Sequence, residues 1–105
     1  LNDLAISVIT LSEIRFGLEL MFPGRRRQNL EDLLYRGIPL RFRERILPID
    51  EQVADEFGTL LARCRRRGLE IGERDLLIAA TAAIYRLTVV TRNVQHFEPL
   101  GLKVL

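Results

Sequence analysis

Two carboxylates and one polar cluster stand where a layered fold could bring them to work. Glu13 follows the apolar run at 5–10, Asp75 opens an apolar-striped stretch, and Thr91, Arg92, Asn93 and His96 follow a second apolar run at 87–91. Carboxylates gathered at one point make a hard, oxygen-rich site, the kind that holds Mg²⁺ or Mn²⁺. Each acid taken singly has a plainer explanation, because an acidic residue in the first turn of a helix is favoured by the helix dipole. A zinc site of four nitrogen and sulfur ligands is excluded: Cys64 and His96 are the single residues of their types. Of the 16 cationic side chains 15 are Arg, the better bidentate ligand of phosphate, which makes an anionic partner an expectation.

The elements that must position these groups can be read from spacing. The run at 5–10 is apolar and β-branched, as a strand covered on both faces would be. Ser12 stands as the N-cap of a following helix with Ile14, Leu18 and Met21 on one side, broken by Pro23 and Gly24. A second helix is expected over 26–36, with Leu30, Leu33 and Leu34 inward and Gly37 ending it. Residues 41–46 read as a short helix or turn. A brief strand at 46–49 is confined to a sheet edge by Pro48. Asp50 caps the clearest helix, whose stripe of Val53, Phe57, Leu60, Leu61 and Cys64 keeps one face, with Gly68 as its end. Asp75 opens a helix striped by Leu76, Ala79, Ala80, Ala83 and Ile84. Strands at 87–91 and 102–105 follow. Strands alternating with helices predict an α/β layered domain with a mostly parallel sheet flanked by helices, and ligand sites in such sheets lie beyond the carboxyl ends of the strands.

Length and composition bound the rest. A chain of 105 residues makes one domain with one small core, and an apolar content of 48% with a net charge of +2 argues against intrinsic disorder. No apolar run nears the ~18 residues that span a bilayer, so a cytoplasmic protein with no membrane partner is expected. Arg63, Arg65, Arg66 and Arg67 crowd a helix C-terminus, where cations are favoured. Arg25, Arg26 and Arg27 fall at a helix N-terminus, where they are not, which makes them the better lead for RNA-phosphate contact. Tyr35, Phe42 and Phe97 could stack on bases, but each reads first as a core residue, as does Cys64.

Three stretches carry a family likeness: SVITLSEIRFGLE at 7–19, ERILPIDEQVADEFGTLL at 44–61 and ERDLLIAATAAIYRLTVVTRNVQHFEPLG at 73–101. In this order and spacing they resemble the PIN domain, in its VapC-like branch of ribonuclease toxins from type II toxin–antitoxin modules. The resemblance implies a Mg²⁺- or Mn²⁺-dependent endoribonuclease, neutralised by a cognate antitoxin and usually paired as a homodimer. It implies Glu13 and Asp75 as metal ligands and catalytic residues, with Asn93 and Thr91 orienting a water or phosphate. Arg92 would contact the RNA backbone and His96 would be auxiliary, at a position where many relatives carry a further acid. The family opens with a strand ending in an Asp-Thr-Asn type motif, the first metal ligand. By resemblance that central strand lies ahead of Leu1, so the chain is expected to be an incomplete PIN domain.

Two rival readings follow. A catalytically inactive PIN fold would bind RNA or antitoxin without cleaving, and the residue ending the preceding strand would tell the two apart. A nucleotide-binding α/β domain ranks last, since no glycine-rich phosphate loop is present.

Overall fold

The computed structural model describes residues 5–89 and 97–102. It divides into two compact units that meet in sequence between Pro48 and Ile49. The expected α/β class holds: the fold is rich in helices with a small parallel sheet.

In the first unit, strand β1 (Ile6–Ser7) pairs in parallel with β2 (Ile46–Leu47), Ile6 opposite Ile46 and Ser7 opposite Leu47. The strand expected over 5–10 is therefore cut to two residues, and its remainder belongs to helix α1 (Val8–Glu19). The cause is a cap. Ser7 is extended, and its Oγ accepts the Ile9 N–H at 3.1 Å, so helix starts at Val8 despite the β-branched run. Ser12, expected as the cap, instead donates its hydroxyl to the Ile9 carbonyl at 2.7 Å, inside the helix. Leu18 is the buried residue of α1.

Helix α2 (Arg25–Asp32) does not stop at Gly37 as expected. It widens into a π turn at Leu33–Gly37 and runs straight on as α3 (Ile38–Phe42). Pro39 gives the physical reason. It has no N–H for the Tyr35 carbonyl and its ring would strike it, so the chain opens by one residue and the Ile38 N–H reaches back to the Leu33 carbonyl. Gly37 has helical dihedrals, and its missing side chain makes room: a Cβ there would lie 2.9 Å from Leu33 Cδ1. Leu34 and Ile38 are the buried residues of this rod. A 3₁₀ turn at Arg43–Arg45 leads into β2.

The second unit is built on α4 (Glu51–Arg67) and α5 (Glu73–Tyr85). Both expected ends of α4 are found. Asp50 Oδ1 accepts the Val53 N–H at 2.9 Å, and Gly68 at φ 67 closes the helix with Leu69 N–H on the Cys64 carbonyl at 2.9 Å. The α4 stripe packs on Leu76, Ala79, Ala80 and Ala82 of α5, whose small side chains allow close approach, and Phe97 and Leu100 complete the core. Helix α5 begins two residues ahead of Asp75, at Glu73. It ends on Arg86, which takes the left-handed conformation at φ 57 while the Leu87 N–H bonds the Ala82 carbonyl at 2.8 Å. Of the strand expected over 87–91, Val89 is buried in a bridge pairing. Residues 90 and 91, and 103–105 of the last expected strand, lie outside the described residues.

Candidate functional site

Because α1 starts at Val8, Glu13 sits in its second turn, not the first. The N-terminal dipole fades within one turn, so it does not account for an acid there. Glu13 is exposed, and among the described residues no hydrogen bond or ion pair occupies its carboxylate. Asp75 is half-buried in the first turn of α5, beside Glu73, on a helix whose N-cap, Gly72, offers no side-chain acceptor. Dipole stabilisation is thus available to Asp75 and not to Glu13. The two acids belong to different units, Glu13 to the first and Asp75 to the second. Among the described residues no three His, Cys, Asp or Glu side chains gather as a metal cluster. Thr91, Arg92, Asn93 and His96 lie outside the described residues.

The three consecutive arginines of α2 differ in their use. No acid occupies the first turn of α2 and Gly24 gives no side-chain cap, so three cations do face the unfavourable end of the dipole. Arg27 is bound internally: Nη1 donates to the Met21 carbonyl at 3.0 Å, Nη2 to Glu19 Oε2 at 3.2 Å and Nε to Glu31 Oε1 at 3.1 Å. It straps the turn between α1 and α2. Arg25 and Arg26 remain exposed, beside a shallow groove of about 410 Å³ whose other walls are Leu20, Met21, Phe22 and Pro23.

Cys64 and Phe97 are core residues, as expected. Tyr35 is not. It is 61% exposed on the outer side of the π turn, its hydroxyl accepting from Arg15 Nη1 at 3.1 Å and its ring facing the same guanidinium at 6.0 Å. Phe42 is half-buried with the Arg45 guanidinium 5.7 Å from its ring.

One polar contact escaped sequence reasoning. Asp50 caps α4 with one oxygen and accepts the Tyr85 hydroxyl at 2.6 Å with the other, tying the start of α4 to the end of α5. The Tyr85 hydrogen bond, then the Val53 N–H, hold the Asp50 carboxyl below its ordinary value, and the bond to Asp50 pushes the Tyr85 phenol up. Thirty-five residues separate the pair, and no local spacing announces it.

The PIN domain family profile matches residues 1–99, and the chain belongs to the PIN domain family. VapC ribonuclease Y4jK of Sinorhizobium fredii is 34% identical over the whole chain, which spans 75% of that protein. Toxin FitB of Neisseria gonorrhoeae is 38% identical over 92% of the chain and 70% of its own length. The solved structure of FitAB bound to an IR36 DNA fragment superposes with a TM-score of 0.90 at 34% identity, covering 98% of this chain and 72% of that one.

Proposed function

We propose that this protein is a Mg²⁺- or Mn²⁺-dependent endoribonuclease toxin, held inactive by a cognate antitoxin. The observation that carries the reading is the whole-chain likeness to a protein named as a VapC ribonuclease and to one named as a toxin, the second joined to a close structural match in a FitAB assembly. Glu13 is available for it, being exposed in the second turn of α1 with no hydrogen bond or ion pair on its carboxylate among the described residues. The donor chemistry fits the ion: two carboxylates plus water suffice for Mg²⁺, which keeps several waters in enzyme sites. Glu13 and Asp75 would hold it, and when bound the ion lowers the pKa of a water and offsets charge on the attacked phosphate. Asn93 and Thr91 orient the water or phosphate, Arg92 and the exposed Arg25 and Arg26 contact the RNA backbone, and His96 is auxiliary. Phe16, Leu20 and Phe22 are 54%, 72% and 92% exposed, an apolar surface of the kind that a homodimer buries. No described helix is long and apolar enough to cross a membrane, in keeping with a cytoplasmic setting for an RNA substrate.

The test is cleavage of a single-stranded RNA by the full-length protein with Mn²⁺ or Mg²⁺, with EDTA, and with the cognate antitoxin added. Metal-dependent cleavage that EDTA and antitoxin both stop is expected. RNA bound but left intact under every metal condition would replace the enzyme with a binding module.

A further inference from the structure

Helix α1 turns one side to solvent, and that side carries an acid, two large apolar groups and a glycine. Glu13, Phe16, Gly17 and Leu20 stand at i, i+3, i+4 and i+7, so they share one helix face. All four are exposed, on the side away from the buried Leu18. Leu20 caps the helix with right-handed dihedrals, φ −85 and ψ −10, so it keeps the line of the face. Beyond it the face runs into the groove of about 410 Å³ that Leu20 and Phe22 share with Arg25 and Arg26.

The two ends of this face carry opposite charge. At the start, no hydrogen bond or ion pair occupies Glu13 among the described residues, whereas Glu19 is already held by Arg15 and Arg27. At the far end Arg25 and Arg26 are exposed and form no ion pair among the described residues. Between them, Gly17 weakens the helix it sits in, since glycine is a poor helix former. Its own subunit does not require it: a Cβ built there meets nothing within 4 Å. A glycine in the middle of an exposed, partly apolar helix face lets a second helix come close.

The pattern also says which helix. An isologous dimer needs one patch that complements itself. A two-fold axis between Phe16 and Gly17, with the helices antiparallel, sets Glu13 of one copy opposite Leu20 of the other, each ~5 Å along the helix from the axis. Leu20 borders the groove that Arg25 and Arg26 line, so acid meets cations twice across the same axis. A parallel pairing would set acid on acid and arginine on arginine, and like charges select against it. Glu13 is also one of the two acids proposed to hold the metal, and arginine binds phosphate bidentately. Arginines brought beside Glu13 are placed to take the phosphate that the site attacks.

We propose that two copies of the chain pack α1 against α1 antiparallel about a two-fold axis beside Gly17, and that Arg25 and Arg26 of each subunit reach Glu13 of the other. The proposal rests on the ribonuclease and homodimer reading and deepens it by making each site a shared one.

Sedimentation velocity on the full-length protein gives the dimer dissociation constant with no cleavage involved. Gly17→Gln should raise that constant at least ~10-fold by holding the helices apart. The denaturation midpoint of the dilute monomer should stay or rise, because Gln is the better helix former. Charge reversal tests the contact itself. Glu13→Arg, or Arg25→Glu with Arg26→Glu, should each weaken association ~10-fold or more, and the three changes together should restore most of it. Cleavage then tests the shared site, at protein concentrations well above the dissociation constants. Glu13→Gln, and Arg25→Gln with Arg26→Gln, should each lower the rate at least ~10-fold as homodimers. Mixed in equal amounts they should recover about a quarter of the parental rate, because half the dimers are mixed and one of the two sites in each is whole.

Unchanged dissociation constants in Gly17→Gln and in the charge reversals would overturn the interface, whatever the cleavage rate. So would a full-length protein that stays monomeric, or variants that keep the dimer and lose antitoxin binding, which would give the face to the antitoxin. No recovery in the mixture would overturn the shared site and leave the arginines serving their own subunit. The expected shifts and the charge-reversal rescue, in a protein that cleaves no RNA, would keep the dimer and remove the enzyme reading.

Discussion

The second unit turns its large side chains inward, and the first turns many of its own outward. Val53, Leu60, Cys64, Leu76 and Phe97 are each no more than 3% exposed, and α4 is capped at both ends. In the first unit Leu18, Leu34 and Ile38 are buried while Phe16, Leu20, Phe22, Tyr35 and Leu40 face out. Apolar burial is worth ~25 cal/mol per Å² removed from water, so truncations among the buried side chains of the second unit should cost more than truncations at the exposed positions of the first. The contrast separates a buried scaffold from an exposed apolar surface.

Truncating the scaffold should cost most. Phe97→Ala is expected to lower unfolding free energy by ~3–5 kcal/mol in a urea titration, a large share of the ~5–15 kcal/mol of an ordinary domain. Phe22→Ala should change a monomer's stability by no more than ~0.5 kcal/mol. Equal costs at the two positions would erase the distinction. The same surface is tested by association: Leu20→Asp with Phe22→Asp should shift the sedimentation-derived mass from dimer to monomer without changing the circular dichroism spectrum. A parent protein already monomeric at high concentration would contradict the homodimer.

A smaller effect concerns how the scaffold is tied. With its carboxyl held below the ordinary value, Asp50 contributes stability that is present above pH 3.8 and is lost as pH falls through its folded value. The raised Tyr85 phenol contributes stability that is whole below pH 10.0 and is lost as pH rises through its own folded value. The difference in stability between the parent and Tyr85→Phe should therefore be widest between these limits and shrink on both sides. A difference that stays constant from pH 3 to pH 11 would show that the hydrogen bond is not made in solution. The smallest effect is expected at Arg86, whose left-handed backbone costs ~1 kcal/mol more than glycine would. After the extra unfolded-state entropy of glycine, Arg86→Gly should gain a few tenths of a kcal/mol, read as a slightly higher denaturation midpoint.

What the sequence made legible follows the same division. Helix α4 was readable in full because its signals agree: Asp50 at the start, one apolar stripe, Gly68 at the end. The start of α1 was not, because a β-branched run and a serine cap compete over the same residues and Ser7 wins. The rod through residues 25–42 was misjudged because Gly37 ends most helices, while here it makes room for the π turn that Pro39 forces. Tyr35 read as core because periodicity cannot foresee the extra residue that the π turn inserts. At the candidate site Glu13 and Asp75 stood out by their placement and took their expected roles from the family resemblance, and the Asp50–Tyr85 bond was invisible because only the tertiary fold brings the pair together.

The central claim, that Asp75 serves a metal and not merely its helix, meets its most direct test in the rate of RNA cleavage by Asp75→Asn in the full-length protein with Mn²⁺. If the ion serves the reaction, several kcal/mol of transition-state stabilisation go with it, so cleavage should fall at least ~100-fold. Metal-free stability should change by less than ~1 kcal/mol, the worth of one charge at a helix end. Cleavage by Asp75→Asn at the parent rate would contradict the account and leave Asp75 as a helix-stabilising acid.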